Sequence, residues 1–390
     1  VEVAMSEASV YLDYNATAPM RPEALRVACD AFHTVGNASS IHQHGRDAAS
    51  KVDRARRQLA DLLSCSPGEL IFTSGATEAN NLALQAAYAQ HGLIVTSAVE
   101  HPAVLETARA LAGGASGALI TLPVDRDGQI DPDEFRAVIR QHGTALVSIM
   151  LANNETGVIT DLSPLIEAAH AAGALVHTDA TQFVGRLPLD LGDLAVDLLS
   201  LSAHKFGGPQ GVGALFIRRG ASLPQRPLVF GGGHERGWRA GTLNVPGIVG
   251  LGAAAEAAHR LLDDEAPRIT KLRDLLENEL LERVPGSHVN GSRAPRLPGV
   301  SSITIPGAPA DALLASMPHV AASDGSACSA GAPSPSHVLL AMGLSRDAAD
   351  STVRFSLGHA TTEQEILRAV DATVRAASQV RAVMDATAGS

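Results

Sequence analysis

Leu198-Leu199-Ser200-Leu201-Ser202-Ala203-His204-Lys205 is an apolar run that ends in a basic residue. A second run, Ala174-Leu175-Val176-His177-Thr178-Asp179-Ala180-Thr181-Gln182, carries an acid at its end, 26 positions before Lys205. Each has the length of one strand, and most of the apolar runs in this part of the chain lack polar alternation, which is the pattern of strands buried on both faces. An open parallel sheet presents its ligands beyond the carboxyl ends of its strands, so Asp179 and Lys205 fall where such a sheet does its chemistry. A lysine and an aspartate so placed fit pyridoxal phosphate. The amine would hold the aldehyde as a Schiff base, and the carboxylate would keep the pyridine nitrogen protonated so that the ring accepts electrons from a substrate's alpha carbon. Read singly, each is as well explained as an ordinary loop charge.

Similar apolar runs recur at 70–73, 93–96, 119–122, 145–150 and 213–217, with Ala- and Leu-rich helical stretches such as 103–111 and 164–172 between them. Alternation of this kind predicts an α/β fold with a mostly parallel central sheet flanked by helices. After Gly231-Gly232-Gly233 and Pro246 the texture changes to a long helical pattern over about 248–283, followed by a Pro/Gly-broken segment at 285–298. A smaller α+β C-terminal domain is expected there, with strands at 300–305 and 352–357, the segment around Cys328, and a final helix from 362 to about 384. The expected division is a large domain over 17–250 and a small domain from 1–16 and 251–390. Residues 1–9 read as a loose arm before a first strand at 10–12, and Thr362 with Glu365 forms a capping box.

The 390 residues are 45% hydrophobic and 18% charged, an ordinary soluble balance that allows a large core. Aromatics make up only 3%, so packing must rest on Ala, Leu, Val and Ile. Thirty basic against forty-one acidic residues give a net charge of −11, which argues against direct nucleic-acid binding. Cys29, Cys65 and Cys328 lie far apart and are odd in number, which favours a reduced cytoplasmic setting over a disulfide framework. No apolar run reaches about 18 residues and no leader precedes the first strand, so neither a membrane span nor a secretion signal is expected.

A phosphate site is suggested by Ile71-Phe72-Thr73-Ser74-Gly75-Ala76-Thr77-Glu78, where a strand turns through glycine into a helix whose free amides favour an anion. A plain helix cap is the competing explanation. Gly241-Thr242, after Arg239, offers a second hydroxyl. His101 follows a strand and precedes a helix, a position from which an imidazole can stack on a planar cofactor and relay protons, although a lone histidine is more often structural. Asn153-Asn154-Glu155-Thr156-Gly157 is a polar cluster in a similar position, or a simple Asn/Gly turn. Cys328 lies in Gly325-Ser326-Ala327-Cys328-Ser329-Ala330-Gly331, a small-residue stretch that leaves a thiol accessible to attack a partner sulfur. Cys29 and Cys65 read instead as core or incidental thiols. Arg354 could clamp a carboxylate or form a surface salt bridge. His42 and His44 lack a third ligand at useful spacing for a metal.

Together these pieces resemble the cysteine desulfurases of the class V aminotransferase superfamily, in the group serving nitrogen fixation and housekeeping iron–sulfur assembly. The resemblance runs from Tyr11-Leu12-Asp13-Tyr14-Asn15-Ala16-Thr17 to Arg354-Phe355-Ser356-Leu357-Gly358 and takes in 36–42, 73–78, Glu100-His101, 153–157, 179–182, 202–205, 231–236, 239–242 and 325–328. It implies the fold-type I architecture of pyridoxal-phosphate enzymes and a homodimer with shared sites. Lys205 would be the Schiff-base lysine, Asp179 the pyridinium partner and His101 the stacking, proton-transferring residue. Gln182 and Asn154 would hydrogen-bond cofactor and substrate. Ala76, Thr77, Ser202 and His204 would line the phosphate, and Thr242 would reach the phosphate of the other subunit. Arg354 would bind the carboxylate of L-cysteine, and Cys328 would take the sulfur as a persulfide. Sulfur-acceptor proteins are the implied partners, either an iron–sulfur scaffold or enzymes of tRNA or DNA thio-modification.

Ala38 stands where this family usually has proline, Gln210 where it has lysine, and Ala332-Pro333-Ser334 where a leucine and a glutamate are common. These departures bear on the acceptor rather than on the chemistry at Lys205. A selenocysteine lyase or another aminotransferase of the same class is the alternative enzyme, and a non-catalytic scaffold the alternative of a different kind.

Overall fold

A computed structural model describes residues 9–114, 117–324 and 335–388. Strand β1 (Val10–Tyr11) opens the described chain, followed by β2 (Leu70–Thr73), β3 (Ile94–Ser97), β4 (Leu119–Leu122), β5 (Leu146–Ser148), β6 (Leu175–Asp179), β7 (Leu198–Ser202) and β8 (Gly213–Ile217). Strands β2 to β8 form one seven-stranded sheet in the order β2-β8-β7-β6-β5-β3-β4. Only β8 runs against its neighbours, so the sheet is mostly parallel as expected.

Its strands feed two cores by simple alternation. Phe72, Val95, Val147, Leu199 and Phe216 pack on one face with Val52, Leu59 and Leu63 of the helix Gln43–Leu63 and with Leu251 and Ala254 of the helix Val245–Arg283. Their neighbours Ile71, Ile94, Leu146, Leu198 and Leu215 pack on the other face with Leu82, Ala83 and Ala87 of the helix Ala76–His91 and Val104 and Ala108 of the helix Pro102–Ala112. A period of two with both faces apolar is why the runs looked unbroken in sequence. Each Val, Leu, Ile or Phe among them contributes ~1.5–3 kcal/mol on burial, and the alanines let the helices lie close to the sheet.

The remaining strands are β9 (His288–Val289), β10 (Val300–Thr304), β11 (Val320–Ala321), β12 (Ser323–Asp324) and β13 (Thr352–Ser356). An antiparallel sheet β12-β13-β10-β9 packs with the helix Glu363–Ala388 and with Leu272, Leu276 and Leu280 of the long helix, while β1 pairs in parallel with β11. The helix Val245–Arg283 therefore serves both cores and runs through the boundary expected at 250/251. The capping box is present, with Thr362 N–H on Glu365 Oε2 at 2.8 Å and Glu365 N–H on Thr362 Oγ1 at 3.3 Å.

Candidate active site

Parallel strands β3, β5, β6 and β7 all end on one side of the sheet, and the loops leaving those ends converge there. Asp179, the last residue of β6, is in register with Ser200 on β7, and β7 leads through Ser202 into the single turn Ala203–Lys205. On the far side of β7, β8 returns beside the turn that joins β2 to the helix Ala76–His91. Gly213 permits that approach, since a Cβ there would lie 2.5 Å from Leu201 O and 2.7 Å from Gly75 Cα.

These ends enclose a cavity of about 370 Å³. Lys205, Asp179, Gln182, His101 and Asn154 line it, with Ala76, Thr77, Ser202 and His204 at the helix start. Asp179 is 5% exposed. Asn80 donates to its Oδ2 at 2.7 Å and Thr181 N–H to its Oδ1 at 2.9 Å, which fixes the carboxylate while leaving lone pairs for another donor. The Lys205 ammonium nitrogen donates to the carbonyls of Asn15 at 2.6 Å and Ala16 at 2.9 Å.

His101 caps the helix Pro102–Ala112, and its Nδ1 accepts the Ala103 N–H at 3.0 Å. That bond assigns the proton of the neutral ring to Nε2. Burial holds His101 below the ordinary histidine range, assisted by Lys205 and His337 and opposed by Asp179. Burial likewise pushes His204 down to about 4, with the charges of Lys205 and Arg186 acting in the same direction. The amides of the first turn of the helix Ala76–His91 have no partners within the helix. Glu78 in that turn would be raised by burial, but hydrogen bonds from Arg239 and Ser74 outweigh it and hold Glu78 below its usual value.

Four lining residues carry buried polar atoms without a partner among the described residues: Asn80 Oδ1, Asn154 Oδ1, Thr181 Oγ1 and Gln182 Oε1. Buried polar atoms are rarely left so, and their concentration around one cavity marks a polar, planar-sized ligand. With an anion-seeking helix start at one end and a carboxylate and an amine at the other, the donor set fits a phosphorylated pyridine aldehyde.

Two expected residues do not line the cavity, and a third is not among the described residues. Thr242 is exposed and does not line its own chain's cavity. Arg354 on β13 is 1% exposed, with Nη2 on Asp13 Oδ1 at 2.7 Å and Nη1 on Asn154 O at 3.1 Å. It borders the site through Asn154, and its Nε has no partner among the described residues. Cys328 lies outside the described residues; Cys29 is exposed and Cys65 half-buried. No group of metal-ligating side chains occurs among the described residues.

Sequence reading missed Asn80 and the network centred on Asn15. It also missed the bonds from Ser336 to Glu155 Oε2 and between His337 Nε2 and Glu100 O at 2.9 Å. Those two bonds tie the start of the helix His337–Ala341 to the loops that carry Asn154 and His101.

The chain matches the aminotransferase class-V family model over residues 10–368. It is 44% identical over 370 residues to a cysteine desulfurase of Gluconacetobacter diazotrophicus, covering 93% of this chain and 92% of that one. A NifS-like protein from Rickettsia africae superposes with a TM-score of 0.85 at 30% identity, over 95% of this chain and 99% of that one. DndA from Streptomyces lividans superposes with a TM-score of 0.75 at 36% identity, over 88% of this chain and 98% of that one.

Proposed function

This chain belongs to the class-V aminotransferase family, and on that premise we propose that it is a pyridoxal-phosphate-dependent L-cysteine desulfurase whose working groups are Lys205, Asp179, His101 and Cys328. The observation that carries the reading is that Asp179 and Lys205, leaving adjacent parallel strands, line one cavity with a helix start and four partnerless polar atoms. When bound, pyridoxal phosphate supplies an electron-withdrawing ring that stores the electron pair released at the substrate's alpha carbon.

The protein's own groups do the rest. Asp179, held by Asn80 and the Thr181 amide, keeps a proton on the ring nitrogen. Lys205 would hold the cofactor through its amine, and that amine, when free, would be the base for the alpha proton of the substrate. His101, uncharged and with its proton on Nε2, stacks and relays protons. Ala76, Thr77, Ser202 and His204 receive the phosphate, with Thr242 contributed by a second copy. Gln182 and Asn154 offer their free oxygens to cofactor and substrate, and Arg354 takes the substrate carboxylate. The Cys328 thiolate attacks the substrate sulfur: one S–S bond forms, one C–S bond breaks, and its electron pair leaves with a proton in alanine. The balance is one thiol and one cysteine giving one persulfide and one alanine.

We take the protein to act as a homodimer, as the shared role of Thr242 requires; Phe32, Val35, Ile41 and Phe230 are large apolar side chains left exposed in the single chain. We keep the division into a large domain at 17–250 and a small one from 1–16 and 251–390, with the helix Val245–Arg283 shared by the cores of both. No helix among the described residues is long and apolar enough to cross a membrane, and a cytoplasmic setting agrees with the thiol chemistry. The acceptor we propose is a protein, either an iron–sulfur scaffold or a thio-modification enzyme, because a charge of −11 opposes direct transfer to nucleic acid.

Addition of L-cysteine to the purified holoenzyme tests the reading. Alanine should appear with the parent chain and not with Lys205→Ala. A Cys328→Ser chain should lose persulfide formation. An aminotransferase would keep its turnover in Cys328→Ser, and a scaffold would lack the absorbance of a lysine-linked cofactor altogether.

A further inference from the structure

Behind Lys205, on the side away from the 370 Å³ cavity, lies a small space of about 40 Å³ shared by Lys205, Arg186, Tyr14 and Arg21. Arg186 is half-buried there and all its bonds go to neutral oxygens. Nη1 donates to Asn15 Oδ1, and Nη2 to the carbonyls of Tyr14 and Lys205, each at 3.3 Å. No carboxylate among the described residues pairs with it, and burial pushes it down to about 9, with the Arg354 charge adding to the effect.

The charged neighbours are already matched or neutral. Arg354 on β13 is paired with Asp13, and Arg21 takes both oxygens of Glu265 at 2.8 and 2.6 Å. His204, next to Lys205, is pushed down to about 4 and so is uncharged at neutral pH, as is His359 beyond Tyr14. Asp179 and His101 face Lys205 from the cavity side. Arg186 is thus a half-buried cation held only by neutral oxygens, and its charge is left to act on the groups beside it.

What it acts on is Asn15. The Asn15 backbone carbonyl accepts from both Lys205 Nζ and Gln182 Nε2, while its side-chain Nδ2 donates to Asn154 O at 2.8 Å. One residue therefore connects Arg186 to three residues of the cavity wall.

We propose that Arg186 is a positioning residue for Lys205: it fixes Asn15, whose carbonyl receives the displaced lysine amine, and its charge biases that nitrogen toward the unprotonated form a base requires. The inference rests on the reading of Lys205 as the cofactor lysine. Arg186 touches neither cofactor nor substrate in it.

The test is the pH titration of the absorbance of the lysine-linked cofactor in the holoenzyme, read without substrate. Arg186→Gln should move the midpoint upward by about one pH unit or more, because removing a nearby positive charge favours the protonated nitrogen. Asn15→Asp, which supplies Arg186 with a counter-ion in place, should shift it in the same direction and serves where Arg186→Gln fails to fold. Arg186→Lys should keep the midpoint close to that of the parent. A midpoint unmoved in both Arg186→Gln and Asn15→Asp, or moved equally by Arg186→Lys, overturns the proposal. A parent chain with no lysine-linked absorbance overturns the functional reading instead.

Discussion

Asn80 and Asp179 are 99 positions apart and joined by a 2.7 Å hydrogen bond, from the helix that starts at the anion-seeking turn to the carboxylate at the end of β6. That bond makes the two ends of the cavity one unit, so a change at the helix is felt at the carboxylate.

Asn80→Ala leaves Asp179 Oδ2 without its buried donor, a loss of ~1–3 kcal/mol. The expected outcome is about ten- to hundred-fold weaker cofactor retention, read as the absorbance remaining after gel filtration. Asp179→Ala should lose more, since the ring nitrogen then has no carboxylate to hold its proton.

Stability should pass through a maximum near pH 6.5. Burial pushes Glu100 up to about 8 and Glu155 up to about 7, from an ordinary 4.5. The folded chain then binds more protons than the unfolded one, so each contribution is fully present below pH 4.5 and lost as pH rises through the folded value. Burial also pushes His177, His204 and His359 down to about 4 from 6.5. Their contribution is present above pH 6.5 and lost as pH falls toward 4, because the unfolded chain protonates first. Thermal midpoints across this range check both limbs. Glu100→Gln should flatten the alkaline limb, and a variant falling as steeply as the parent would count against this account.

Glu235 and Arg56 should behave as a buried pair. Two bonds of 3.0 and 2.5 Å join them, and Glu235 also accepts the Phe72 amide at 2.8 Å, holding a turn whose Glu235 and Arg236 have φ of 46° and 56°. Removing one partner, as in Arg56→Ala, should cost about 3–5 kcal/mol in chemical denaturation. A loss within about 0.5 kcal/mol, typical of surface positions, would show that the pair is not buried in solution.

Gly185→Ala should damage catalysis out of proportion to stability. Gly185 has φ of +75°, and a Cβ there would lie 2.6 Å from the Phe206 Cβ, next to Lys205. Left-handed strain costs about 1–2 kcal/mol, and Phe206 must also move, taking Lys205 with it. A fall in kcat of about ten-fold or more with KM little changed is expected, because misplacing a reacting group acts on the chemical step. Unchanged kcat would separate Phe206 from the position of Lys205.

Much of the site was legible because its residues end strands. Asp179, Lys205, His101 and Asn154 each come after an apolar run, and a parallel sheet brings such positions together whatever the loops do. The supporting network was not legible, because its pairs are remote in sequence and each member is ordinary in its local setting. Asn80 sits in an Ala-rich helix where an asparagine reads as solvent-facing, and Arg186 and Asn15 meet across 171 positions. Arg354 is no surface pair: it is buried and bonded to Asp13, which only the join of β13 with the segment after β1 reveals. Strands β9, β11 and β12, two residues each, are too short for any periodicity to register.

The most direct measurement is mass spectrometry of the peptide containing Cys328 after the holoenzyme has met L-cysteine, with alanine quantified in the same sample. One added sulfur atom on that peptide, matched by one alanine, is the predicted result. Alanine formed while the peptide stays unmodified, or no alanine at all, would contradict the account.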